Sequence, residues 1–214
     1  MQARWICLIA LHILAMLGTS GCRDALASEP IAINATIDPD ISAAAKVARE
    51  AIGDHRLVLL GEMHGTREIP LFTLALIQDL AVDGRVVLSL EMSRSEQAAL
   101  DEFMQSEGNA ADRAKLRASP WWQIRNDQHD GRRNQDAFDM IEQLRVLRAS
   151  GRDVRILAFD LAVGVRPGHH KRDAEMAAYL REHVASDASA RFLVLTGNVH
   201  AMLAKPNRAP PEMQ

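Results

Sequence analysis

An α/β fold, with a mostly parallel sheet and helices on both faces, is predicted by two features of the sequence. Short apolar runs alternate with helical segments, an order that makes consecutive strands parallel and places helices against the sheet. The runs are nearly continuously apolar, as expected of strands covered on both faces.

The elements follow in order. Ile41 to Ile52 is Ala-rich and helical, with Gly53 as its stop. Arg56 to Leu60 reads as the first buried strand, and Pro70 to Val82 as a helix with Gly84 behind it. Arg85 to Leu90 is the second strand. Ser93 with Glu96 has capping-box spacing and opens a helix running to about Ser106. Another helix starts near Asn134 and ends around Ser150-Gly151. Val154 to Phe159 is the third strand, Arg172 to Val184 a helix, and Arg191 to Thr196 the fourth strand. Ser119 to Arg133, holding Trp121, Trp122, His129 and Asp130-Gly131-Arg132, is the one long irregular connection, and long loops tend to be functional or mobile.

The chain has 214 residues, 48% hydrophobic and 25% charged, enough for one sizeable core. A net charge of -3 and the absence of a basic run exclude the electrostatic footprint of a nucleic-acid binder. Residues 1–27 have the layout of an export signal: Arg4, then an apolar run from Trp5 to Leu17 broken only by His12, too short for a span of about 20 residues. Thr19-Ser20-Gly21-Cys22 offers a lipobox within a lipoprotein signal 1–21, and Ala25-Leu26-Ala27 offers cleavage to a soluble product. The expected location is the periplasm, either free or lipid-anchored to the outer membrane through Cys22. Cys7 lies inside the signal, so no intramolecular disulfide is expected after processing. Residues 28–54 form a lead-in and helix, and 55–214 the α/β domain.

In open α/β sheets, ligands bind beyond the carboxyl ends of the strands. Each strand here ends in an ionisable residue: the first in Gly61-Glu62-Met63-His64-Gly65, the second in Glu91, the third in Asp160, the fourth in Gly197-Asn198-Val199-His200. Parallel strands bring these tips together. Two imidazoles and two or three carboxylates suit a divalent metal, with His64, Glu91 and His200 as ligands, and suit metal-free acid-base chemistry equally. Gly61, Gly65 and Gly197 let the backbone turn off a strand and approach a ligand closely.

Plainer readings stand beside these. A single Gly-x-x-His is common, and the pair placed directly after strands is what singles out His64 and His200. Glu62 has the alternative of capping the next helix, and Asp160 that of capping a turn. Glu68 at a helix start is explained by the helix dipole. Arg94, Arg132 and Arg172 are suited to an anionic group, or to a solvated helix surface. His55, His129, His169, His170 and His183 read as solvated, and Trp121 and Trp122 as packing the loop down.

Leu59-Leu60-Gly61-Glu62-Met63-His64-Gly65-Thr66-Arg67-Glu68-Ile69-Pro70, with Leu90-Glu91, Asp130-Gly131-Arg132, Phe159-Asp160 and Gly197-Asn198-Val199-His200-Ala201, resembles the superfamily joining TIKI proteases, ChaN-like haem-binding lipoproteins, TraB proteins and erythromycin esterases. The resemblance covers residues 55 to 202. It implies an α/β fold and a site in which Glu62 and His64 take the first motif's roles, Glu91 the carboxylate's and His200 the second motif's. TIKI-like members are divalent-metal hydrolases, the esterase branch hydrolyses without metal, and ChaN-like members bind haem, so shared residues do not fix the reaction. The 14 residues after His200 are fewer than the family usually has, which points to a C-terminal truncation of the sheet or pocket wall.

Three functions follow as expectations. The first is an exported hydrolase acting on a small-molecule or peptide substrate: Glu62, His64, Glu91 and His200 are catalytic, a metal such as Mn, Co or Zn assists, and Arg132 and Asp160 bind substrate. The second is a lipid-anchored haem or metal binder without catalysis, and the third a scaffold with a degenerate site. Oligomeric state is open.

Overall fold

A computed structural model describes residues 6–8, 38–124, 130–162 and 168–202, with the backbone alone for 6–8 and 169–170. Val-Val-Leu-Ser-Leu-Glu-Met-Ser, residues Val86–Ser93, forms a strand buried at every position. A strand so covered must lie inside a sheet with material on both faces. Taking Ile6–Leu8 as β1, Leu57–Glu62 as β2, Val86–Ser93 as β3, Val154–Asp160 as β4 and Arg191–Gly197 as β5, the sheet order is β1-β2-β5-β3-β4, all neighbours parallel. The helices are α1 (Pro39–Ile52), α2 (Glu68–Leu80), α3 (Gln97–Gln105), α4 (Ala110–Arg117), α5 (Gln135–Ala149) and α6 (His169–Ser186). The α/β class and the four main strands agree with the sequence reading.

Period-two alternation sorts the strands into two layers. Leu88 and Leu90 of β3, Ile156 and Ala158 of β4, and Leu193 and Leu195 of β5 join one large core with buried residues of α1 to α5. The opposite side chains, Val87, Leu157, Phe159, Phe192 and Val194, pack with Met176, Tyr179 and Leu180 of α6. Among the described residues α6 alone covers that face. Phe138 of α5 is fully buried between Trp122, edge-on at 5.2 Å, and Phe103 at 6.2 Å.

Helix ends follow local chemistry. Asp38 accepts from the Asp40 amide ahead of Pro39 at the first turn of α1. Asn109 and Asp112 form a reciprocal capping box that starts α4, a short helix in a stretch the sequence reading assigned to no element. Asn134 accepts from the Ala137 amide and starts α5. Ser93 departs from its expected capping box: its hydroxyl accepts from the Ser95 amide, and Arg94–Glu96 is a 3-10 turn before α3 begins at Gln97. The turn is tight, and Glu96 is instead buried, with Oε2 unpartnered. Of the irregular connection, Pro120–Gln123 is a 3-10 turn, and His129 lies outside the described residues.

Two details aim the strand tips. β2 and β5 pair as far as Glu62 opposite Gly197, so the two Gly-x-x-His motifs leave the sheet side by side. On β3, Leu90 pairs with Ala158 and Ser93 with Asp160, one extra residue on the β3 side. Such a bulge re-aims side chains and recurs beside functional sites; this one falls at Glu91 and Met92.

A candidate active site at the strand tips

Gly61 ends the apolar part of β2, and a Cβ there would stand 2.8 Å from Asn198 Oδ1 and 3.1 Å from the Ala201 Cβ. Glycine is what lets the turn after β5 seat on β2. The Asn198 amide donates to the Glu62 carbonyl at 2.9 Å, tying the two motifs together. Gly65 and Gly131 make a second close approach. Gly131 has a φ of 91°, and a Cβ on it would lie 2.8 Å from the Gly65 nitrogen and 3.0 Å from the His64 carbonyl carbon. Both the left-handed backbone and the absent side chain are needed there.

Glu91 is the hub. It is buried, and its two oxygens accept four donors: Oε1 from Arg132 Nη1 at 2.8 Å and Arg172 Nη2 at 2.6 Å, Oε2 from the Thr196 hydroxyl at 2.7 Å and the Gly197 amide at 2.8 Å. Burial alone would raise its pKa; Arg132, the Gly197 amide, the Thr196 hydroxyl and His200 outweigh it and hold the carboxyl down at about 2. Arg132 also donates to the Glu91 carbonyl and to Asp130, whose pKa is held far below the usual carboxylate range despite partial burial. Arg172, on the first turns of α6, donates to both oxygens of Asp160. Its Nη1 lies 2.9 Å from His200 Nε2, and the Asp173 carboxylate lies 2.7 Å from His200 Nδ1. Guanidinium can only donate, and carboxylate accepts, so His200 sits as the Nδ1–H tautomer.

His64 is different. Its Nδ1 is buried and faces Glu62 Oε1 at 3.1 Å, within ion-pair distance though not aligned as a hydrogen bond. Its Nε2 looks across Gly197 toward Glu91: a Cβ on Gly197 would stand 3.1 Å from that nitrogen and 3.6 Å from Glu91 Oε2. No protein hydrogen bond to Nε2 occurs among the described residues. Beside Glu62 and Glu91 opens a pocket, part of it open to solvent, walled by Pro70, Met92, Trp121, Trp122, Met140 and Ile141 among others.

The structure thus brings Glu62, His64, Glu91, Arg132, Asp160 and His200 to one rim. It corrects the metal-ligand set. Both nitrogens of His200 are engaged, both oxygens of Glu91 are filled by donors, and two arginines stand where a cation would need to approach; His64, Glu91 and His200 therefore do not fit a shared divalent metal. Among the described residues no group of three His, Cys, Asp or Glu side chains is arranged to hold one. Arg132 and Asp160, read as substrate-binding, lie in the clamp around Glu91. Arg172, read as a solvated charge as readily as an anion binder, is at its centre, and Thr196 and Asp173 went unnoticed. Only α6 docking beside the last turn reveals them. Trp121, read as packing, does pack, under Arg133 at 3.9 Å, and also walls the pocket. Arg94 lies elsewhere: it donates to the Phe159 carbonyl and lies over the Tyr179 ring. Cys22 and the side chains of His169 and His170 lie outside what is described.

Comparison with curated proteins gives no match. Among solved structures, the chain is similar to the type III effector HopBA1, with 21% identity over 73% of this chain and 72% of that one and a TM-score of 0.52, a likeness of fold alone. A family model described as haem-binding uptake, Tiki superfamily, ChaN, matches residues 48–132, a stretch that contains Glu62, His64, Glu91 and Arg132 and stops short of Asp160, Arg172 and His200. Over residues 48–132, the resemblance read from the motifs is therefore a match to the Tiki superfamily, in its haem-binding uptake, ChaN group.

Proposed function

We propose that the protein is a hydrolase of the ester- or peptide-cleaving type in which His64 activates water without a metal. The observation that carries this is the state of His64: Nδ1 faces Glu62, itself in the pocket wall, and Nε2 has no protein hydrogen bond among the described residues. A carboxylate against one imidazole nitrogen favours the tautomer whose other nitrogen accepts a proton, and stabilises the imidazolium that results. Water on Nε2 loses its proton there and attacks the carbonyl carbon of a substrate whose apolar part lies between Trp121, Trp122 and Ile141; the scissile C–O or C–N bond then breaks, and the imidazolium returns that proton to the departing oxygen or nitrogen, leaving acid and alcohol or amine. Glu91, locked as an anion by two arginines, fixes the far wall rather than moving protons. Removing a general base typically costs about 10²- to 10⁴-fold. The test is a screen of ester and peptide substrates, with and without chelator, on wild type and His64→Ala. Turnover that survives chelation and falls at least about 100-fold in the variant is expected. No turnover, or turnover indifferent to His64→Ala, rejects the reading.

A second reading is haem binding, favoured by the family match. The residues fit it in part: His64, whose Nε2 has no protein hydrogen bond among the described residues, would hold the iron. The single tyrosine, Tyr179, lies on α6 between Arg94 and His183 rather than in the pocket. Haem titration decides it, by a Soret shift at micromolar haem that His64→Ala removes.

We also infer export to the periplasm, with or without a lipid at Cys22, from the signal layout of residues 1–27; cleavage at either site removes β1 and leaves β2 at the edge of the sheet. N-terminal sequencing and fatty-acid labelling of the expressed protein test it.

A further inference from the structure

We propose that Arg172 is the resident cation of this site, a positioning residue that holds with one guanidinium the acceptors a divalent ion would need. A guanidinium is a planar cation with five N–H groups and no acceptor. Here it reaches Glu91, both oxygens of Asp160, and the acceptor nitrogen of His200, four acceptor atoms on three side chains that a metal would otherwise gather. Its neighbour on α6, Asp173, takes the other nitrogen of His200, so two consecutive residues fix that ring's tautomer from both sides. Arg132 supplies a second positive charge on the same Glu91 oxygen. A divalent ion arriving there would meet two guanidiniums and no free lone pair on either Glu91 or His200. The role of Arg172 follows: it holds Glu91, Asp160 and the second motif's histidine in one frame, so that the wall facing His64 is fixed before substrate enters.

This concerns the same site as the hydrolase reading, but its readouts need no turnover, so either fails without the other. The first experiment uses wild-type protein: titration calorimetry with Zn²⁺, Mn²⁺ and Co²⁺, alone and in Glu91→Gln. Binding of one equivalent at micromolar affinity that Glu91→Gln abolishes overturns the proposal; the expected result is no such binding. The second is ¹⁵N NMR of the histidine side chains at neutral pH. His200 is expected with its proton on Nδ1, and a wild-type His200 carrying it on Nε2 overturns the proposal. In Arg172→Ala the frame loses its cation, and Zn²⁺ affinity is expected to rise at least about tenfold, or 1.4 kcal/mol, as Glu91, Asp160 and His200 become free to ligate. A folded Arg172→Ala with unchanged Zn²⁺ affinity and unchanged His200 signals also overturns it.

Discussion

Glu91→Gln tests the hub directly. The substitution keeps the shape of the side chain and removes its charge. All four internal partners of the carboxylate are donors: two guanidiniums on Oε1, a hydroxyl and a backbone amide on Oε2. A glutamine amide must turn its NH₂ toward one pair or the other. Toward Oε1 it faces two arginines that cannot accept; toward Oε2 it faces the Gly197 N–H, which cannot accept either, while the Thr196 hydroxyl can rotate. One donor is left against a donor either way, and two buried guanidiniums lose a counter-charge. Breaking a buried pair from one side costs about 3–5 kcal/mol. The pH linkage agrees in size: holding the carboxyl at about 2 rather than its ordinary 4.5 corresponds to roughly 3 kcal/mol. With a urea m-value of about 2 kcal/mol/M, the midpoint falls by roughly 1.5–2.5 M. Trp121 and Trp122 report the transition by fluorescence. The sign in acid is fixed by the depressed pKa. Stability from Glu91 is fully present above its unfolded value of 4.5 and is lost as pH falls through about 2, so wild type should weaken over that window and the variant should weaken less. A midpoint shift under about 0.5 M, or equal acid slopes for the two proteins, refutes the clamp.

Three further outcomes follow from the same coordinates. Gly197→Ala puts a methyl group 3.1 Å from His64 Nε2, a flexible partner, so the fold should hold within about 1 kcal/mol while turnover dependent on His64 drops roughly 100-fold, read as kcat/KM beside a urea midpoint. Gly131→Ala meets backbone at 2.8 Å from a φ of 91° and should cost more than about 2 kcal/mol; an unchanged Tm would show that the two loops do not touch as described. Phe138→Ala empties a fully buried ring site and should destabilise by about 3–5 kcal/mol in chemical denaturation, without altering the His200 tautomer.

The strand tips were legible because burial writes itself into composition. Four apolar runs locate β2 to β5, and the polar residue after each is where hydrophobicity stops, so Glu62, Glu91, Asp160 and His200 could be named from one sequence. What each does with its neighbours could not. The ligand set failed because spacing along the chain says which side chains arrive at a rim, not which of their atoms are already bonded. Arg172 has no sequence signal apart from lying near a helix start, and its importance comes from α6 crossing the mouth of β5. The bulge at Glu91 is equally silent, since one extra residue in a run of eight buried positions leaves the apolar pattern intact. Ser93 and Glu96 show the converse: a correct spacing for a cap, taken up by a tighter turn.

The sheet order places β5 between β2 and β3, so the last strand along the described chain is an interior one. A chain emerging from the ribosome holds β2 and β3 with no strand between them until Arg191–Gly197 arrives. Both then present open edges that neither can satisfy alone. Insertion of that one segment closes the hydrogen-bond ladder, brings Thr196 and Gly197 onto Glu91, and sets the second histidine beside the first. Pairing of β5 and assembly of the site thus depend on the same contacts of long sequence separation, the kind that slows folding.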